Sequence, residues 1–198
     1  MASRFPLSHG QRGWVALAAL LGLLSLLAWT QPSGGLDWQP ALAATEPWRA
    51  WTAVAVHWSR QHLLANLAAC AVVGLFGWAA KLPLRCTWAW ALAWPLTQAL
   101  LLLQPGLQHF GGLSGVLHGG VAVVLVELLA RGGRERRIAV AVSAGLLIKL
   151  WMEQPLGSAL RVVDGWDIAV VPFSHLTGAV AGAVCALGFR KLVAHRQA

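Results

Sequence analysis

Serine, histidine and asparagine side chains stand near the starts of three apolar segments of the chain. Ser114 begins one segment, His175 lies near the start of another, and His62 and Asn66 are four residues apart in a third. A serine hydroxyl becomes a strong nucleophile when a base, most often a histidine, takes its proton. Asparagine and histidine side chains, together with free backbone N–H groups, stabilise the oxyanion that such an attack creates. The set therefore indicates a hydrolytic enzyme that works through an acyl intermediate.

Glycines stand beside these side chains at spacings that allow close approach. Gly112 and Gly115 flank the serine, where the absence of a Cβ atom leaves room for a substrate backbone. Gly178 and Gly182 are four residues apart, which predicts a small-residue face that brings the histidine toward the serine. Each of these residues taken alone also has a structural explanation, because serines commonly cap helices and histidines or asparagines commonly form hydrogen bonds between helices. Only their coincidence at one depth on three helices favours catalysis.

The elements that hold these residues are predicted from composition. Hydrophobic residues make up 58% of the 198 residues and charged residues 11%, whereas an average soluble domain has about 25% charged residues. This composition excludes an ordinary soluble protein, and so much apolar surface excludes disorder. We predict an all-α polytopic membrane protein, a single domain over 1–198, in which each span needs about 20 apolar residues. The six predicted spans are about 14–30, 61–80, 86–103, 113–130, 138–152 and 172–190.

The net charge of +8 is distributed in a way that predicts orientation. Four segments hold eleven of the 15 basic residues, and they alternate with three segments that are neutral or acidic. Positive residues accumulate on the cytoplasmic side of membranes, so both termini are predicted to be cytoplasmic. The charge is therefore a topology signal, and no nucleic acid partner is expected. The eleven residues are Arg4, Arg12, Lys81, Arg85, Arg131, Arg134, Arg136, Arg137, Arg190, Lys191 and Arg196.

Charged residues inside the predicted spans are a further signal, because they are costly in a membrane. Lys149 and Glu153 lie four residues apart near the outer end of the fifth span, and an ion pair between them would lower that cost. A role in reading the substrate's tail, or in positioning the fifth span, is the alternative. Glu127 is predicted to reach the inner interface, where the arginines of 131–137 contact lipid headgroups.

Taken in order, the motifs resemble those of the rhomboid family. The similarity covers about residues 45–190, and the order of the motifs, the span that holds each one and the side of the membrane all agree. It implies an intramembrane serine protease with a rhomboid-like bundle of six transmembrane helices, with no cofactor and no metal. The matching segments are Trp48-Arg49 in the first outer loop, His62-x-x-x-Asn66, Gly112-Leu113-Ser114-Gly115 and His175-x-x-Gly178-x-x-x-Gly182.

The resemblance also implies a role for each of these residues. Ser114 would be the nucleophile and His175 the general base of a Ser–His dyad. His62, Asn66 and the backbone N–H of Ser114 would form the oxyanion hole. The first outer loop, with its Trp-Arg pair, would shape the membrane-embedded side of the site.

His118 departs from the pattern of many rhomboids, which have a tyrosine one turn after the serine. The stretch 112–119 and the pair of Lys149 with Glu153 resemble the rhombosortase branch of the family. That branch implies single-span substrates with a C-terminal Gly-Gly motif and a basic tail, cleaved near the outer face of the bilayer. It also implies a bacterial inner membrane protein whose site faces the periplasm. His118 is the alternative base because it shares a helical face with Ser114, and transfer to another nucleophile stays open beside hydrolysis.

Three other functions stay open from the sequence. A catalytically inactive rhomboid-like protein would bind membrane spans, although such proteins usually lack the serine or the histidine. A metal or haem protein would use histidines of the outer half as ligands, but no pair of facing histidines recurs on two helices, and Ser114 and Asn66 would have no role. A small transporter would need a midplane site, whereas the polar groups here are off-centre. The five outer histidines are His57, His62, His109, His118 and His175.

Overall fold

Seven α-helices account for most of residues 7–195, the part of the chain that the computed structural model describes. Short 3-10 turns and loops connect them, and two isolated antiparallel bridges pair loop segments. Arg4 and Arg196, counted above among the cytoplasmic charges, lie outside these residues. The helices are α1 (His9–Ala28), α2 (Arg49–Thr52), α3 (Arg60–Ala79), α4 (Leu84–Ala99), α5 (Ser114–Arg131), α6 (Gly133–Glu153) and α7 (Pro172–His195).

Five helices of the described chain are long and apolar enough to cross a membrane, which confirms an all-α multi-pass membrane protein. They are α1, α3, α4 with the 3-10 turn that extends it to Leu103, α5 and α7. The fifth predicted span, 138–152, corresponds to α6, which begins earlier, at Gly133. Its 21 residues measure about 31 Å, but charged residues stand in its first turns and at its end. A sixth span therefore stays a prediction.

Capping explains why some helices begin before the predicted spans. α1 begins at His9 rather than near residue 14 because Ser8 and Gln11 form a capping box. Ser8 Oγ accepts the N–H of Gln11 at 3.2 Å, and Gln11 Oε1 accepts the N–H of Ser8 at 3.1 Å. Ser59 caps α3 with its side chain alone, since its Oγ accepts the N–H of His62 at 3.0 Å. A span predicted from apolar residues alone omits these polar first turns and therefore starts too late.

α5 lies at the centre of the bundle and packs most extensively against α7. Gly115 and Gly119 on α5 face Gly178 and Gly182 on α7, and a Cβ atom added at either α7 position would overlap the backbone of α5. The two helices therefore approach backbone to backbone, as the small-residue spacing predicts. α3, α4 and α6 also pack against α5, so the site is arranged around this helix.

Two buried tryptophans link the remaining helices to α5. The ring of Trp14 on α1 lies against Gly77 of α3, and its Nε1–H donates to the carbonyl of Val73 at 3.0 Å. The same ring packs on Trp90 of α4, with ring centroids 4.4 Å apart. Trp90 Nε1–H donates in turn to the carbonyl of Val116 on α5 at 2.8 Å. Each indole thus buries a large apolar area while its N–H group stays hydrogen-bonded.

Glu127 joins three helices at the end of α5 farthest from Ser114. Its buried carboxylate accepts hydrogen bonds from Arg85 of α4 at 2.9 Å, from Arg131 of α5 at 3.3 Å and from Arg190 of α7 at 3.0 Å. The three guanidinium groups are partly exposed, whereas the carboxylate is not. Glu127, predicted to reach the inner interface, is the buried counter-ion of arginines that reach the surface.

Replacing Glu127 by glutamine is expected to lower the free energy of unfolding by about 3 kcal/mol, the lower end of the cost of breaking a buried ion pair, because the arginines reach solvent. Glutamine keeps the shape and removes the negative charge that Arg85, Arg131 and Arg190 share. The measurement is thermal unfolding in detergent, followed by labelling of the buried cysteines. Glu135→Gln, which removes an exposed partner of Arg131, is the control and should cost under about 0.5 kcal/mol. Equal effects of the two changes would contradict the buried role.

Candidate active site

The hydroxyl of Ser114 and the imidazole of His175 meet where the first turns of α5 and α7 come together. His175 Nε2 lies 3.0 Å from Ser114 Oγ, a hydrogen-bond distance. The residue before α5 is Leu113, which gives the helix no side-chain cap, and Ser114 is already in the first turn. The serine hydroxyl is therefore not used as a cap. The sequence predicts that the two side chains meet, and the structure brings them together.

His118, one turn along α5, lies against the ring of His175. The two imidazoles are stacked, with centroids 4.2 Å apart and an angle of 16° between their planes. His118 Nδ1 is 2.7 Å from the carbonyl oxygen of Ser114. Because a carbonyl oxygen only accepts, Nδ1 carries the hydrogen of this bond. His118 therefore bonds to the backbone of the serine and supports the ring of His175, whereas His175 is the histidine that reaches Ser114 Oγ.

A carboxylate contacts Nδ1 of His175, the ring nitrogen that does not face Ser114. Glu153, at the last turn of α6, places Oε2 2.7 Å from His175 Nδ1. Its second oxygen pairs with Lys149, so the predicted ion pair of these two residues is present. The contact with His175 was not among the predicted ones. The one signal in the sequence was the cost of Glu153 in a membrane, and an ion pair with Lys149 also accounts for it.

His62 and Asn66 of α3 line the same cavity as Ser114 and His175. Asn66 Nδ2 donates to the carbonyl of His62, one turn earlier, at 3.0 Å. His62 Nδ1 is buried and has no hydrogen-bond partner in the described part of the chain. Both side chains therefore keep hydrogen-bonding capacity that their own helix does not use.

His57, in the loop before α3, supports His62 from behind. The two rings pack with centroids 4.7 Å apart, and His57 Nδ1 lies 3.2 Å from the carbonyl of Ala55. Burial lowers the pKa of the His57 imidazole, and the bond to Ala55 opposes that shift only in part. His57 is therefore neutral at pH 7, and its ring packs against His62, the candidate oxyanion-hole histidine.

Gly112 and Gly115 each lie close to a neighbouring group of the protein, and the predicted approach of a substrate backbone to them stays a prediction. Gly112 has φ +124°, which favours glycine, and a Cβ atom there would lie 2.7 Å from Cε1 of His62. A Cβ atom at Gly115 would lie 2.8 Å from the carbonyl oxygen of Ser174 and 3.0 Å from Cγ2 of Thr97. The first glycine makes room for the ring of His62, and the second lets α7 approach α5.

A cavity of about 710 Å³ opens beside the polar side chains. Its opposite wall is apolar and includes Ile148 and Met152 of α6 and Trp166 and Ile168 of the loop between α6 and α7. The volume is in the range of sites that hold small ligands or short segments. The polar and charged residues of the cavity wall are His62, Asn66, His109, Ser114, His118, Lys149, Glu153, Arg161, Ser174 and His175.

The loop over this cavity, residues 154–171, is fastened to the start of α3. Ser59 Oγ donates to Asp167 Oδ1 at 2.6 Å, and Gln61 Nε2 donates to the carbonyl of Gly165 at 2.7 Å. Both bonds involve exposed groups, so each contributes little to the free energy of folding. The loop is therefore held at its edge by contacts that water can replace.

Trp48 and Arg49 do not line the cavity, and the shaping of the membrane-embedded side of the site by their loop stays a prediction. The guanidinium of Arg49 is buried and binds Glu46 at 2.6 Å and Asp37 at 3.1 Å. The second oxygen of Asp37 meets Nδ1 of His109 at 2.6 Å, and His109 is a wall residue of the cavity. Arg49 therefore braces, through Asp37, the segment that leads into α5.

The five outer histidines form three separate contacts. His57 packs on His62, His118 stacks on His175, and His109 pairs with Asp37. Among the described residues, no three histidine, cysteine, aspartate or glutamate side chains come together in a way that could hold a metal ion. Nothing in this arrangement favours the metal or haem alternative.

A family model described as Rhomboid domain matches residues 44–192. The matched range includes α2 to α6 and most of α7, and with them every residue that the sequence analysis placed in the site. No curated protein matches the chain.

Proposed function

Because the chain belongs to the rhomboid family, whose members are intramembrane serine proteases acting on membrane proteins, we propose that it is an active protease with Ser114 as nucleophile and His175 as general base. One observation carries the proposal, the 3.0 Å separation of Ser114 Oγ and His175 Nε2. A histidine at this distance takes the hydroxyl proton directly. An inactive binding protein would have no use for such a pair.

In the proposed acylation, Ser114 Oγ bonds to the carbonyl carbon of the scissile peptide while its proton passes to Nε2 of His175. The C–N bond of the tetrahedral intermediate then breaks, and Nε2 gives the proton to the departing amine. An ester now joins Ser114 to the N-terminal part of the substrate. In deacylation a water molecule attacks this ester and gives a proton to Nε2, which returns it to Oγ as the carboxylic acid leaves.

The oxyanion of each tetrahedral intermediate is assigned to His62, Asn66 and the backbone N–H of Ser114. Backbone N–H groups in the first turn of a helix have no partner within the helix, and Ser114 begins α5. The two side chains line the cavity beside it with unused hydrogen-bonding capacity. Donors fixed in a site that excludes water stabilise developing charge strongly.

The proposed topology has six spans, with both termini in the cytoplasm. α6 would be the fifth span, since its charges lie near its two ends and residues 138–148 between them are uncharged. The arginines after α5 and at the end of α7 would then lie on the cytoplasmic side. We place the protein in the bacterial inner membrane, with Ser114 near the periplasmic face.

The proposed substrates are single-span proteins whose C-terminal anchor has a Gly-Gly motif, the span and a basic tail. The support is the resemblance of the stretch 112–119 to the rhombosortase branch, including His118, which stacks on His175. Glycines have no side chain to exclude, so such a segment enters a narrow polar site in an extended conformation. Hydrolysis is proposed as the outcome, and a product mass increased by an added nucleophile would show transfer.

Release of two co-expressed reporters tests the activity and the substrate class together. One reporter has the Gly-Gly motif, a span and a basic tail, and the other has a generic span with helix-destabilising residues. Wild-type protein is expected to release the first, and a Ser114→Ala chain supplies the background. Release of the second reporter alone would keep the protease and remove the substrate proposal. Release of neither by a folded, inserted chain would contradict the proposed activity.

A further inference from the structure

Glu153 makes a contact that a serine–histidine dyad does not require. From this contact we infer that Glu153 is a positioning residue for His175, so that the site is a Ser114–His175–Glu153 relay; the inference rests on the proposed function. The two ring nitrogens of His175 have different partners, Glu153 Oε2 at 2.7 Å from Nδ1 and Ser114 Oγ at 3.0 Å from Nε2. The imidazole therefore bridges the carboxylate and the hydroxyl.

The carboxylate decides which nitrogen of His175 carries the hydrogen. An ionised carboxylate only accepts hydrogen bonds, so the hydrogen of a neutral ring lies on Nδ1. Nε2 is then left with its lone pair toward Ser114 Oγ, as a general base requires. When Nε2 takes the serine proton, the ring becomes positive, and the negative charge of Glu153 stabilises it.

Two neighbours hold this arrangement in place. Lys149 pairs with the second oxygen of Glu153, which favours the ionised carboxylate and leaves the pair neutral overall. His118 stacks on the face of the His175 ring and is anchored by its bond to the carbonyl of Ser114. The ring is therefore fixed at Nδ1, at Nε2 and on one face. Such supporting contacts are what keep a catalytic group in productive geometry.

A purely structural role for Glu153 is the alternative. α6 has only two buried residues, Ala139 and Leu150, and it packs much less extensively on α7 than α5 does. The bond from Glu153 to His175 would then serve to tie α6 to α7. A tether affects the stability and shape of the site, whereas a relay affects the reactivity of the Ser114 hydroxyl.

The test measures the reactivity of the serine directly, with a fluorophosphonate probe on the full-length protein in detergent. Glu153→Gln is expected to slow labelling of Ser114 by roughly 10²- to 10⁴-fold, in line with the loss of the acidic member of other serine hydrolase sites. It should also lower kcat on the Gly-Gly reporter by a similar factor with KM nearly unchanged. Glu135→Gln, the same change at the exposed start of α6, is the matched control and should label like wild type.

Each outcome separates the relay from the proposed function. Labelling of wild type but not of Ser114→Ala, together with wild-type labelling of Glu153→Gln, would overturn the relay and leave the protease intact. Absence of both labelling and cleavage in the wild type would overturn both. If Glu153→Gln alone fails to fold, Lys149→Gln is added to it, because this second change removes the cation that the first leaves without its partner. Wild-type labelling of the folded double variant would then overturn the relay.

Discussion

Replacing Ser114 by alanine is expected to lower kcat on the reporter by roughly 10⁴- to 10⁶-fold, as in other serine hydrolases that lose a member of the catalytic unit. The reason is chemical: without Oγ no ester forms, and His175 has no proton to take. The stability should change little, because the Ser114 hydroxyl bonds only to His175 among the described residues and caps no helix. The measurement is reporter release beside the unfolding temperature of the purified chain.

Ser25→Ala is the matched control for this experiment. Ser25 is a fully buried serine in α1 whose hydroxyl donates to the carbonyl of Leu21 at 3.0 Å, and it lies outside the cavity wall. It loses the same atom from a membrane helix and should keep wild-type release. Release that survives Ser114→Ala would contradict the serine mechanism, and equal losses in the two variants would point to folding instead.

The helices were predictable because a helix that crosses a bilayer needs about 20 consecutive apolar residues. Long apolar runs, bounded by charged residues or divided by the Pro-Gly and Gly-Gly pairs of 105–112, predicted the helices that the structure shows as α1, α3, α4, α5 and α7. Their starts were less predictable, since the polar caps at Ser8 and Ser59 extend helices beyond the apolar run. The prediction of a span is weakest for α6, because charged residues at both of its ends obscure how many of its residues could lie in the membrane.

The pairing of Ser114 with His175 was predictable for a different reason. Polar groups at one depth on separate helices have few partners other than each other, and the glycines of α5 and α7 allow close contact. The contact of Glu153 with His175 was not predictable, since it depends on how α6 is rotated and on the path of the loop 154–171. The ion pairs of Arg49 were not predictable either, because only the folded outer loop shows that it binds Asp37 and Glu46.

The second large effect is expected at the glycine contact between α5 and α7, which brings His175 close to Ser114. Gly178→Ala is expected to lower the free energy of unfolding by about 3 kcal/mol, the upper end of the usual cost of overpacking. The added methyl group would meet the carbonyl group of Gly115, and backbone cannot rotate aside as a side chain does. α7 must therefore move away from α5, which separates His175 from Ser114. A displacement of about 1 Å costs roughly 10²-fold in rate, so labelling of the serine should fall by at least that factor.

Gly188→Ala on the same helix separates this packing effect from the loss of a helical glycine. A Cβ atom at Gly188 meets nothing within 4 Å, so the change should be neutral, or stabilising by up to about 1 kcal/mol through helix propensity. Unfolding temperature and fluorophosphonate labelling are measured for both variants. A Gly178→Ala chain that unfolds and labels like Gly188→Ala would show that α5 and α7 do not meet backbone to backbone. The close approach that brings the base to the nucleophile would then need another explanation.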